Sequence, residues 1–70
     1  MINYAEINIH PSDRIEVAFR KVVRYMVPDA PSDVIFKVAN LVIRDKKYRP
    51  QVLRVIINSL EEWDKKQARK

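Results

Sequence analysis

Between Lys37 and Arg54 lie six basic side chains (Lys37, Arg44, Lys46, Lys47, Arg49 and Arg54) against a single acid, Asp45, and Tyr48 sits inside the run. Lysine and arginine bind phosphate chains by releasing condensed counterions, and an interleaved aromatic ring can stack on a base or sugar. The pattern points to a nucleic-acid-binding patch of Lys46, Lys47, Tyr48, Arg49 and Arg54 at the connection between two helices. The simpler explanation is a solvated loop, which lysines make polar. A second basic set, Arg14, Arg20, Lys21 and Arg24, spreads over a broad helical face and has no asparagine, glutamine or serine beside it to read base edges after the first turn. Gln51, Arg54 and Asn58, at i, i+3 and i+7, form a better row for that purpose.

The other residue types that do chemistry are poorly placed for it. Asp13 with Glu16 has the spacing of a capping box, and Glu61, Glu62 and Asp64 crowd one helical turn beside lysines, so both groups read as capping or solvated charge. His10 has no serine or cysteine nucleophile near it in sequence. A single histidine and no cysteine provide neither a thiolate site nor a histidine-based metal cluster. The chain also lacks glycine, so it has no phosphate loop and no dinucleotide fingerprint, both of which need backbone to approach phosphate closely. We therefore expect a non-enzymatic protein with no cofactor and no metal. The net charge of +5 and the pI near 9.8 raise the odds of a polyanionic partner and also serve solubility.

The elements that must position these residues are helical. Average usage would supply about 7% glycine, much of it for turns, and here there is none. Pro11-Ser12-Asp13, Pro31-Ser32-Asp33 and Arg49-Pro50-Gln51 read as helix starts, since proline suits a first turn and serine or aspartate caps it. Ile15, Ala18, Phe19, Val22 and Met26 make one stripe of helical period; Leu53, Ile56, Leu60 and Trp63 make another. The segment Val34–Ile43 is apolar around most of its circumference, which reads as the central element. Residues 1–10 alternate weakly, with Ile7 and Ile9 on one side, and suggest a short extended arm or strand. We expect an all-α three-helix bundle formed as one domain over 1–70, with an arm at 1–10 and helices near 12–27, 32–46 and 50–67. The expected core is Ile15, Phe19, Val22, Met26, Ile35, Val38, Ala39, Val42, Leu53, Ile56, Leu60 and Trp63.

That core leaves apolar residues over. Phe36 and Ile43 on the second helix and Val55 on the third stand off the centres of their stripes, and an uncovered apolar patch marks an interface. The second functional expectation is therefore a protein-interaction subunit, or a homodimer, docking through Phe36, Ile43 and Val55. The start of the chain has no basic region followed by an apolar run, and no apolar run exceeds three residues. A cytoplasmic protein without a membrane partner is expected.

Residues 11–24 align without gaps on 31–44 with six identities in fourteen, through either duplication of a helical unit or shared start chemistry. The order strand, capped helix, turn, helix over residues 5–45 resembles a ribbon-helix-helix dimer, a DNA-binding fold. That likeness implies a strand with Glu6, Asn8 and His10 outward, and a dimer with an added C-terminal helix. The sequence departs from it at Glu6, which would face phosphate, and at Pro28-Asp29-Ala30-Pro31, where a glycine turn is usual.

Overall fold

The computed structural model describes residues 2–68, which form four helices: α1 (Tyr4–Ile7), α2 (Ile15–Met26), α3 (Ser32–Arg44) and α4 (Tyr48–Ala68). It is a small helical bundle, with no strand among the described residues. The arm does not form the extended strand that alternation suggested. It makes one helical turn, closes at Asn8 in the left-handed region (φ 61°, ψ 45°), and delivers Ile7 and Ile9 into the core. Asparagine tolerates that conformation at low cost, so no glycine is needed. The ribbon required by the ribbon-helix-helix likeness is therefore missing.

Side-chain bonds fix the arm at both ends. The Ser59 hydroxyl, buried in α4, donates to the Tyr4 carbonyl at 2.9 Å, and the Asn3 N–H donates to the Tyr25 hydroxyl at 3.1 Å. Lys21 of α2 donates to the Asn8 carbonyl at 3.0 Å and to Asp13 Oδ2 at 2.5 Å. Asp13 also accepts the His10 N–H at 3.0 Å, while its own N–H bonds to the His10 carbonyl at 2.9 Å. These bonds make Pro11-Ser12-Asp13 a turn, and α2 begins only at Ile15, without a side-chain cap. The expected capping box fails because the Asp13 carboxylate is already engaged.

Within the turn, His10 Nδ1 accepts the Ser12 N–H at 3.1 Å and lies 2.6 Å from the Ser12 hydroxyl. This pattern assigns the proton of the neutral ring to Nε2. The imidazole meets Trp63 edge to face, with centroids 5.1 Å apart.

The core comprises Ile7, Ile9, Ala18, Phe19, Val22, Val23, Ile35, Ala39 and Ile56, with Val38, Val42, Leu53 and Leu60 packed half-buried against it. Two expected members are exposed: Ile15 at 41% and Met26 at 57%. Both lie on the face of α2 that carries Ala18, Phe19, Val22 and Val23, but at its two ends, where the neighbouring helices leave them largely uncovered. Trp63 is half-buried rather than central. The helices that pack on all three others are α2 and α4, whereas α3 does not pack on α1, buries only Ile35 and Ala39 fully and leaves Val34, Phe36 and Leu41 outside.

Arg24 holds the rigid connector after α2. Its guanidinium donates to the Ala30 carbonyl at 2.9 Å, to the Pro28 carbonyl at 3.5 Å and to the Ser32 hydroxyl at 3.2 Å. At the next connection Asp45 leaves the helix with an extended backbone (φ −83°, ψ 124°), so α3 stops short of the expected residue 46. Pro50 has no N–H to give to the Lys46 carbonyl, which delays the regular ladder of α4 to Tyr48 although Arg49 already bonds to the Asp45 carbonyl at 3.0 Å. At about 1.5 Å per residue, α4 spans roughly 31 Å. It thus runs along most of the 37 Å length of the molecule.

Candidate nucleic-acid interface

Asp45 is the residue that shapes the basic corner. Its Oδ1 accepts the N–H groups of Lys47 at 2.8 Å and Tyr48 at 2.9 Å, capping the start of α4. The only acid of the basic run is thereby committed to backbone donors. Lys46, Lys47, Arg49 and Arg54 are exposed, and none pairs with a carboxylate among the described residues. Tyr48 is 48% exposed, with the Lys47 ammonium 5.4 Å from its ring centroid.

The corner brings Lys46, Lys47 and Tyr48 together. Lys47 and Arg54, seven residues apart, share one side of α4, while Arg49 projects from the opposite side. On α3, Lys37 and Arg44 line a shallow hollow of about 350 Å³ with Asn40 and Leu41, extending positive charge along the outer face. Gln51 donates to the Lys47 carbonyl at 3.3 Å, so its amide is partly engaged by the helix.

The basic set on α2 is differently employed. Lys21 and Arg24 fasten the arm and the connector, and Arg20 donates to the Glu16 carbonyl at 3.3 Å with its guanidinium 5.2 Å from the Phe36 ring centroid. These three side chains line the largest hollow, about 510 Å³, with Glu6 and Phe36. Their donors are largely spent on the protein itself. The Lys21 hydrogen bond, with that of the His10 N–H, holds the Asp13 carboxyl below its ordinary value of 3.8.

Of the residues expected at an interface, Phe36 is 49% exposed beneath Arg20, whereas Ile43 and Val55 are half-buried against the core. Uncovered apolar surface collects elsewhere, in a groove of about 400 Å³ where the end of α2, the start of α4 and the middle of α3 converge. Of its lining, Val22 is buried, Val42, Val52 and Val55 are half-buried, and Met26 and Tyr48 are exposed. The periodicity placed Met26 on the correct face. Its exposure follows from where α2 ends, which periodicity does not encode.

No group of three or more histidine, cysteine, aspartate or glutamate side chains is placed to hold a metal ion among the described residues, and none of their helices is long and apolar enough to cross a membrane. Compared with protein-family models, curated proteins and solved structures, the chain shows no significant match to any.

Proposed function

We propose that this is a small non-enzymatic nucleic-acid-binding protein that grips the phosphate backbone with the corner between α3 and α4. The observation that carries the reading is the contrast between two basic sets. Lys21 and Arg24 spend their donors on the arm and the connector and Arg20 bonds the Glu16 carbonyl, which leaves exposed Arg14 outside these bonds, whereas Lys46, Lys47, Arg49 and Arg54 are all exposed and none pairs with a carboxylate among the described residues. Asp45 supports it by spending its charge on the α4 backbone. Backbone contacts of this kind fix position more than sequence, and Tyr48 adds a face for stacking.

The test is fluorescence anisotropy of a labelled DNA duplex at about 50 and about 200 mM salt. The expected result is affinity that falls steeply with salt, and a Lys46→Glu, Lys47→Glu double variant whose salt slope is smaller by about one to two. No binding at the lower salt, or an unchanged slope in the variant, removes this corner as a nucleic-acid site.

A second reading, docking to another protein, is supported by one specific feature. The groove leaves the large side chains of Met26, Val27 and Tyr48 uncovered at the junction of three helices.

A further inference from the structure

We propose that this groove receives an amphipathic helix with an acidic flank, carried by another protein. The inference rests on the protein-docking reading and specifies the chemistry of the partner. Among the described residues no carboxylate, ammonium or guanidinium lines the groove; its polar side-chain groups are the Gln51 amide and the Tyr48 hydroxyl. Its volume lies within the roughly 300–1,000 Å³ of ligand clefts, but a small-molecule site would also present convergent polar groups to fix an orientation. An open apolar trough where three helices meet instead suits a helix that lays apolar side chains at i, i+3, i+4 and i+7 into it.

Charge on the rim selects the partner. Tyr48, Val52 and Val55 face the groove from successive turns of α4; Lys47, just before the helix, and Arg54 do not line it but stand on the solvent side of that stripe, next to Gln51, which does. The ammonium of Lys47 is held beside the Tyr48 ring, at the groove's edge. An acidic flank on the incoming helix meets both cations, and a basic flank is repelled. A second copy of this chain is a poor occupant. A two-fold contact sets the same patch against itself, bringing Lys47 and Arg54 of both copies together, and each copy carries +5. Because Lys47 and Arg54 also belong to the nucleic-acid corner, the partner helix and DNA compete for them.

The experiment titrates the full chain into a labelled amphipathic peptide with leucines at helical spacing and glutamates on its flanks, and into its twin with lysines in place of the glutamates. The acidic peptide is expected to bind at least about tenfold more tightly than its twin. Met26→Asp should abolish binding with helicity retained by circular dichroism, since Met26 is 57% exposed. Lys47→Glu with Arg54→Glu should reverse the preference between the peptides. Amide shifts of the unsubstituted protein decide the matter if Met26→Asp loses helicity: changes confined to the groove sustain the site, and changes elsewhere overturn it. Equal binding of both peptides overturns the acidic flank. A dimer of the unbound chain that Met26→Asp separates overturns the acidic helix but keeps protein docking. Neither peptide binding nor self-association overturns both.

Discussion

Residues 11–15 and 31–35 both read Pro-Ser-Asp-x-Ile, and the two segments fold differently. At the second, Pro31 is the cap and Ser32 the first helical residue; at the first, the same three residues form a turn and the helix waits for Ile15. Ile35 is consequently buried at 4% exposure, and its counterpart Ile15 stands at the open end of α2. The cause lies eight residues downstream of each aspartate. Lys21 reaches back to Asp13, whereas the matching residue after Asp33 is Leu41, which offers no donor. Local start chemistry thus proposes a helix boundary, and a side chain two turns away decides it.

The paired isoleucines provide the strongest way to break this comparison. Ile35→Ala should cost about 2–5 kcal/mol, enough to threaten a chain this small, whereas Ile15→Ala should cost less than about 1 kcal/mol. Urea denaturation of the two variants measures the difference, and equal losses would mean the repeats are packed alike. The arginines that close the alignment come next. Arg24 clamps the connector and Arg44 contacts solvent, so Arg24→Ala should destabilise by about 1–2 kcal/mol and Arg44→Ala by almost nothing. Thermal melts read both, and Arg44→Ala should show its effect in DNA affinity instead.

The smallest effect sharpens the comparison most. Lys21→Leu makes the first segment like the second, releases Asp13 from its bond to Lys21, and should move the start of α2 toward Ser12 in amide chemical shifts. Its cost near neutral pH should be no more than about 1 kcal/mol, as for a partly exposed pair. The pH dependence carries a definite sign. Asp13 titrates below 3.8 in the folded chain, so its contribution is present above 3.8 and is lost as pH falls through the folded value. The gap between the parent and Lys21→Leu should therefore hold above about pH 5 and shrink on the acid side of 3.8. A gap that stays constant into acid would remove the Lys21 bond as its source.

Much of this architecture is legible in the residues. Proline-marked starts and apolar stripes at helical spacing locate the three long helices to within a few residues, because both signals are local. The arm is not legible in the same way. Ile7 and Ile9 alternate as in a strand, but a left-handed Asn8 achieves the same burial from a helical turn, and side chains distant in sequence, Lys21, Tyr25 and Ser59, hold the arm in that conformation. The role of α3 was misleading for a related reason. An apolar circumference predicts burial on all sides only where neighbours exist to cover it, and Leu41 has none. For the candidate site, composition reveals the cations of the corner. Their freedom from pairing depends on where Asp45 points, and that on the break between α3 and α4. The groove was legible as a surplus without an address, since its rim at Met26 reflects the length of α2 rather than its pattern.

The bond from Ser59 to the Tyr4 carbonyl spans 55 residues. On a ribosome the arm emerges first, when the helix that will receive it has not been made. The arm can meet α2 as soon as that helix is made, but the side of it that packs on α4 waits for residues around Ser59. A chain built this way gains little from folding piece by piece as it is translated. Its core is complete only when the turn at Tyr4 meets the Ser59 turn of α4.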